Sequence, residues 1–74
     1  MTTGTFATRL RATREARGLT QEALAKAVGT RQATISRWET GEGYPQVDSL
    51  RRLAAALSTK DHPITMEYLA GGGK

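Results

Sequence analysis

The sequence contains no cysteine, which excludes both a disulfide framework and a thiolate metal site. It has no run of about 18 consecutive apolar residues, so no membrane-spanning helix is predicted. The first ten residues lack the apolar stretch of a secretory signal. With 74 residues, the chain is expected to fold as one small cytoplasmic domain with a core of marginal size.

Side chains that carry enzymatic chemistry are also scarce. His62 is the only histidine, and no second metal ligand lies at helical spacing from it. We find no paired carboxylates placed for acid–base work, no nucleophile beside a base, and no glycine loop that would cradle a phosphate. The sequence therefore predicts no cofactor, no metal and no enzymatic activity.

Positive charge is what the sequence has in excess, with 11 Lys and Arg against 7 Asp and Glu and a net charge of +4. Such an excess favours nucleic acid over a membrane surface as partner. Surface charge that serves only solubility could produce the same excess of basic residues. The first segment contains Arg9, Arg11, Arg14 and Arg17, whereas Asp48, Asp61 and Glu67 lie in the last third. We take the basic first segment as support for a DNA-binding surface.

Glycines and prolines divide the chain into five segments of helical composition, and no segment alternates with period two. This pattern predicts an all-α, compact five-helix domain at 5–70. The predicted helices are about 5–17, 21–28, 31–40, 47–57 and 65–70, with a flexible N-terminal arm at 1–4 and a flexible tail at 71–74. Thr20, Thr30 and Thr65 are the expected N-caps.

Apolar side chains recur at helical spacing and predict the core. Trp38, the only tryptophan, lies with Ile35 in the otherwise polar stretch TRQATISRWETG, and a helical wheel places both opposite the polar face. The fourth segment has an apolar stripe that starts at Val47, and in the fifth segment either Tyr68 or Leu69 is expected to point inward. The predicted core comprises Phe6, Leu10, Leu24, Val28, Ile35, Trp38, Leu50, Leu53 and Leu57.

The second and third segments are joined by a turn of about four residues, which is the layout of a helix-turn-helix. In that motif the second helix lies in the DNA major groove and its N-terminal residues reach base edges. The outer face of the third segment suits this role because it offers an amide, a guanidinium and small side chains. An ordinary solvent-exposed helix would have a polar face too. The face comprises Gln32, Ala33, Ser36, Arg37 and Thr40.

The run LTQEALAKAVGTRQATISRWETG resembles the Cro and λ-repressor-like (Xre-type) helix-turn-helix family, and the likeness covers most of the chain. The resemblance rests on motifs at fixed spacing: GLTQ at 18–21, LA at 24–25, VG at 28–29, ISRWE at 35–39 and Gly41. It implies a λ-repressor-like fold and a sequence-specific, double-stranded DNA-binding transcriptional regulator of bacterial or phage origin. A repressor that binds a near-palindromic operator as a homodimer is the expected form.

An alternative with the same fold is a protein-interaction module, such as the antitoxin of a toxin–antitoxin pair. Its main partner would be a toxin or the transcription machinery, and DNA binding would serve only to regulate its own gene. The chain shows no long extra segment that could wrap a toxin, which weighs mildly against this alternative.

The family resemblance also implies roles for individual residues. Gln32 and Arg37 would be the principal base readers, with Ala33 and Ser36 beside them. Arg14 and Glu39 would form a partly buried ion pair between the first and third helices. The residues expected to contact phosphate are Gln21, Arg31, Thr34, Gly43, Tyr44 and Arg14.

Two connecting segments depart from the family pattern. Glu42 makes the loop after the third helix acidic, and its carboxylate would repel phosphate, so minor-groove contacts from this loop are not expected. The link at 58–63 is longer and more charged than the usual connection. The position of the fifth helix, and any dimer contacts built on it, therefore follow less directly from the resemblance.

Overall fold

A computed structural model describes residues 5–70, and the expected flexible segments 1–4 and 71–74 lie outside the described residues. Residues 5–70 form five helices and no strand, which confirms the predicted all-α class. The helices are α1 Phe6–Ala16, α2 Gln21–Val28, α3 Gln32–Thr40, α4 Val47–Leu57 and α5 Met66–Ala70. No helix in this part of the chain has the length and apolar character needed to cross a membrane.

Threonines fix where three of the helices begin. The side-chain oxygens of Thr5 and Thr20 accept the backbone N–H three residues later, at 3.2 and 3.0 Å, and so cap α1 and α2. Thr65 accepts the N–H of Tyr68 at 3.0 Å in the same way before α5. Each bond satisfies one of the N–H groups that a helix leaves without an intrahelical partner, so the predicted caps Thr20 and Thr65 are confirmed.

The turn between α2 and α3 differs from the prediction at one residue. Gly29 has a left-handed φ of 85°, and its N–H donates to the Ala25 carbonyl at 2.9 Å, which ends α2. The Thr30 N–H donates to the same carbonyl at 2.9 Å, so Thr30 still belongs to the closing turn of α2. The prediction that Thr30 caps α3 is therefore wrong. Arg31 holds the N-cap position, with no side-chain cap bond.

The core is one cluster of apolar side chains between the five helices, and every predicted core residue is buried. The prediction for Val47 is wrong, because this residue is 61% exposed. It is the first residue of α4, where the Cα–Cβ bond tilts toward the helix N-terminus and away from the packed turns. In α5, Leu69 is fully buried while Tyr68 stays 44% exposed. Ala25, Ala54 and Leu69 complete the cluster.

Candidate nucleic-acid interface

α3 has two faces of opposite character. Ile35 and Trp38 are buried and anchor the helix against α1 and α2. Gly41, with a φ of 85°, ends the helix after little more than two turns. The other face points away from the core: Gln32, Ala33, Arg37 and Thr40 are exposed, and Ser36 is half-buried. The burial pattern therefore agrees with the helical wheel.

A two-pronged ion pair joins α1 to α3. Arg14 Nε lies 2.6 Å from Glu39 Oε2, and Arg14 Nη2 lies 3.1 Å from Glu39 Oε1. The Glu39 side chain is 3% exposed and that of Arg14 is 11% exposed. Arg14 Nη1 also donates to the Leu19 carbonyl at 2.7 Å. The structure thus contains the expected ion pair, and little of the Arg14 surface is left to meet a phosphate.

The hydrogen bonds from Arg14 to Glu39 raise the pKa of the Arg14 guanidinium above its ordinary value, against the opposing effect of burial. A group whose pKa is raised on folding stabilises the fold at every pH below its pKa in the unfolded chain. That contribution is lost only as the pH rises through the folded value, which for arginine is strongly basic. The charge on Arg14 therefore contributes to the stability of the fold without change across neutral pH.

Two glutamines extend this ion pair to the outer face of α3. Gln21 Nε2 donates to Glu39 Oε1 at 3.0 Å, and Gln32 Nε2 donates to Gln21 Oε1 at 2.6 Å. Each amide is thereby oriented by the next member of the chain, which ends at a carboxylate that can only accept. The Oε1 atom of Gln32 and one of its two Nε2–H groups take no part in this chain of hydrogen bonds. The outermost amide is held in one orientation.

The sequence placed both glutamines at the interface but did not show that they touch each other. The sequence did contain a signal for this contact, since Gln21 and Gln32 are the first residues of the two helices of the motif. Sequence reasoning also missed the bond from Gln21 to Glu39, because the two residues are 18 positions apart and share no local pattern.

The other two arginines of α1, and Arg17 directly after it, also have partners inside the domain. Arg9 Nη1 donates to the Tyr68 carbonyl at 2.8 Å, and its guanidinium lies 4.8 Å from the centre of the Tyr68 ring. Arg11 pairs with Glu15 at 3.2 Å, one helical turn away. Arg17 Nη1 donates to the last carbonyl of α4 at 3.1 Å. The crowding of arginines at 9–17 thus serves contacts within the domain, and its support for a DNA-binding surface stays a prediction.

The two arginines of the α3 region differ from those of α1. Arg31 and Arg37 are exposed, and within residues 5–70 neither side chain forms a hydrogen bond or salt bridge. Thr34, which was expected to meet phosphate, is half-buried at the inner edge of the helix. The outer face of α3 therefore presents the Arg37 guanidinium, and Arg31 adds a second guanidinium at the N-cap, each with donors available to a ligand.

An aromatic contact joins the loop that follows α3 to α1. The Tyr44 ring lies 4.9 Å from that of Phe6, and a Cβ at Gly43 would lie 3.6 Å from the Trp38 ring. The backbone N–H groups of Gly43 and Tyr44 have no acceptor in the described part of the chain. Glu42 is exposed beside them. The loop can thus offer two N–H donors, with one carboxylate nearby.

No three His, Asp or Glu side chains of residues 5–70 come together in a group that could hold a metal ion. The arrangement described above is one of hydrogen-bond donors and acceptors on a protruding helix. Such a surface is suited to recognition rather than to bond making or breaking.

The chain is similar to known helix-turn-helix proteins in both sequence and structure. A family model described as helix-turn-helix matches residues 10–61. The HTH-type transcriptional activator BcrR of Enterococcus faecalis is 34% identical to the chain over 67 residues. That match covers 90% of this chain and 30% of BcrR, so the chain spans less than a third of the length of this relative.

Two solved structures of the P22 c2 repressor are similar to this fold. The repressor in complex with the synthetic operator 9T in the presence of Tl⁺ gives a TM-score of 0.82 at 34% identity, over 92% of this chain and 96% of that chain. The solution structure of its DNA-binding domain (1–76) gives a TM-score of 0.82 at 35% identity, over 97% of this chain and 88% of that chain. None of these proteins is described as an enzyme.

Proposed function

The chain belongs to the Cro and λ-repressor-like helix-turn-helix family, and from that premise we propose that it is a transcriptional regulator that binds double-stranded DNA sequence-specifically. The supporting observation is the division of α3 into a packed inner face and an outer face with an oriented amide and an unpaired guanidinium. A short helix with this outer face fits the major groove.

Gln32 is proposed to read adenine. Its Oε1 and remaining Nε2–H form one acceptor and one donor, and adenine presents an N6–H donor and an N7 acceptor in the major groove. The hydrogen bond from Gln32 to Gln21 prevents the amide from turning over, which would exchange the two groups. Orienting the amide before binding reduces the rotamer entropy lost in the complex.

Arg37 is proposed to read guanine, because its guanidinium can donate to both O6 and N7 of one base. It is exposed one helical turn after Ala33, whose methyl group suits contact with a thymine methyl. Ser36 supplies a small hydroxyl between them and permits close approach to the groove floor. Together with Gln32, these side chains form the proposed base-reading surface.

Phosphate contacts are proposed to flank this surface on both sides. Arg31 lies at the start of α3, and the free N–H groups of Gly43 and Tyr44 lie just beyond its end. Gln21 keeps one Nε2–H for a phosphate oxygen, since its other amide groups are bonded to Glu39 and Gln32. Phosphate contacts fix the position on the duplex and supply most of the affinity. Arg31, Gly43, Tyr44 and Gln21 carry this part of the proposal, with Thr34 and Arg14 at its edge.

Two copies are proposed to bind one near-palindromic operator, with half-sites about 10–10.5 bp apart. The P22 c2 repressor, which matches nearly the whole fold, has been solved on a synthetic operator, and this favours repression as the output. BcrR is a transcriptional activator, and the chain matches only 30% of it. A promoter fused to a reporter gene distinguishes the two outputs, because a repressor lowers transcription when the protein is supplied and an activator raises it.

Selection of bound duplexes from a random pool, followed by titration at two salt concentrations, tests the proposal. We expect a symmetric motif and an affinity that falls steeply with salt. Arg37→Ala should lose the preference at one base position, while Arg11→Ala, an exposed arginine on α1, serves as the matched control. Absence of an enriched motif would overturn the proposal in favour of a protein-interaction module.

A further inference from the structure

Arg17, the C-cap residue of α1, is anchored in the same way as Arg14 but holds no carboxylate. In Arg14, Nη1 donates to a backbone carbonyl while Nε and Nη2 bind the two oxygens of Glu39. In Arg17, Nη1 donates to the Leu57 carbonyl at 3.1 Å and to the Ser58 carbonyl at 3.4 Å. The Nε and Nη2 atoms of Arg17 have no acceptor among residues 5–70, and none of their carboxylates forms a salt bridge with it.

The Nε–Nη2 edge of Arg17 is suited to bind an anion. In a guanidinium group, the Nε–H and one Nη2–H point in the same direction and match the two oxygens of a carboxylate. The bond from Nη1 to the Leu57 carbonyl orients the guanidinium before a ligand binds, and the Arg17 side chain is half-buried. An oriented donor group loses less rotamer entropy in a complex than a free one. In Arg14, the same edge binds a carboxylate of this chain.

An open groove of about 590 Å³ lies against Arg17, between α1 and the α4–α5 connection. Its α1 wall includes the exposed methyl groups of Ala12 and Ala16. Its other wall includes the half-buried Ile64 and the Tyr68 ring, which is 44% exposed. Small-molecule sites typically have volumes of about 300–1,000 Å³ and combine apolar walls with a few polar groups. The groove has both the volume and the composition of such a site.

The charges around the groove favour an anionic ligand. None of the described residues that line it is acidic, and Arg17 and His62 supply basic side chains. Lys60 and Asp61 lie next to His62 in the sequence, and both are exposed. Their opposite charges offset each other, so they leave the positive balance of the groove unchanged. A ligand with an apolar body and one negative group matches this surface.

We propose that this groove binds a small amphipathic carboxylate through the Nε and Nη2 donors of Arg17. The hydrocarbon part of the ligand lies against Ala12, Ala16 and Tyr68. No residue of the groove belongs to the proposed base-reading or phosphate-contacting surface, so this site goes beyond the proposed function. A ligand here joins α1 to the α4–α5 connection, and it stabilises the folded chain because the site exists only in that state.

Titration of the whole chain with octanoate, followed by two-dimensional ¹H–¹⁵N NMR, tests the proposal. Octanol and octylamine have the same hydrocarbon chain with a neutral or cationic head, and acetate has the head without the chain. We expect saturable binding of octanoate with a Kd of about 1 mM or lower, and a shift of the Arg17 Nε–H signal. At equal concentration and ionic strength, each of the other three compounds should reach about a tenth of that occupancy or less.

Two substitutions test the two parts of the site. Arg17→Lys keeps the charge but lacks the paired donors, so the Kd for octanoate should rise about tenfold. Ala12→Glu places a carboxylate on the apolar wall and should raise the Kd by about tenfold or more. Ala55→Glu on α4 is the matched control, since Ala55 is exposed and lies outside the residues that line the groove. Circular dichroism checks the fold of each variant, and Ala12→Glu keeps the test available if Arg17→Lys fails to fold, because Ala12 is exposed.

No saturable binding of octanoate up to about 10 mM would overturn the proposal. Octanol that binds as tightly as octanoate would show apolar contact without carboxylate recognition, and acetate that does so would show adventitious anion binding. An unchanged Kd in a folded Arg17→Lys or Ala12→Glu variant would also remove the site. A chain that binds octanoate as expected but selects no DNA motif keeps this site and removes the proposed function.

Discussion

The α1–α3 contact and the outer face of α3 both contain arginine, and they use it in opposite ways. Arg14 is 11% exposed and holds a carboxylate that is 3% exposed. Arg37, on the other side of the same helix, is exposed and has no partner within the described residues. The first region fixes the orientation of α3, and the second is free to meet a ligand in that orientation.

The difference shows that charge content alone does not identify a DNA-binding surface. A buried carboxylate needs a cation as partner. Glu39 therefore pairs with the Arg14 guanidinium, and this pairing does not depend on the net charge of the chain. The arginines of α1, and Arg17 after it, satisfy carboxylates and carbonyl groups of the domain. Arginines that the fold leaves without such partners keep all their donors available to a partner outside it.

The largest effect is expected for Trp38→Ala, which removes the inner anchor of α3. Loss of a buried tryptophan lowers the free energy of unfolding by about 3–5 kcal/mol. Ordinary domains have a free energy of unfolding of about 5–15 kcal/mol, so the loss is enough to unfold a domain near the lower end of that range. Urea unfolding followed by circular dichroism measures the change. Ser36→Ala on the outer face is the control, with an expected change within about 0.5 kcal/mol. A Trp38→Ala protein that keeps its stability and loses only DNA binding would contradict the two-face description.

Arg14→Ala is expected to cost about 3 kcal/mol of unfolding free energy, because it leaves the Glu39 carboxylate buried without its cation. The value lies at the low end for such pairs, since Gln21 still donates to Glu39 and Arg14 keeps some exposure. Urea titration should show a change within about 0.5 kcal/mol for Arg37→Ala. Equal losses for the two variants would remove the distinction between the two regions.

Arg37→Ala is expected to cost about 1–3 kcal/mol of discrimination at one base position and little stability. Competition binding on the selected motif and on variants at each base pair measures this loss. A uniform loss of affinity on selected and random duplexes would show instead that Arg37 contacts phosphate and does not read a base.

The smallest effect is expected in the salt dependence of binding. Arg31→Ala should reduce the magnitude of the slope of log K against log[salt] by about 1, because one phosphate contact is lost. Arg11→Ala should leave the slope unchanged, since Arg11 lies on α1 and pairs with Glu15. Titrations between about 50 and 200 mM salt measure both slopes. A lower slope for Arg11→Ala would extend the interface onto α1.

Most of the fold could be predicted from local patterns. Helical spacing placed Leu10, Ile35 and Leu53 in the core, where each is fully buried. The fold predictions that failed lie at helix ends, where helical periodicity gives the least information about the position of a side chain. Thr30 completes the closing turn of α2, and Val47 begins α4 with its side chain directed away from the core.

The sequence by itself determined the five helices, their apolar stripes and the polar face of α3, because these depend on residues three or four positions apart. Only the tertiary structure decided which arginines remain available and how Gln32 is oriented. The contacts responsible join residues 25, 18 and 11 positions apart, from Arg14 to Glu39, Glu39 to Gln21 and Gln21 to Gln32. Such partners are set by how the helices pack, and no local period encodes them.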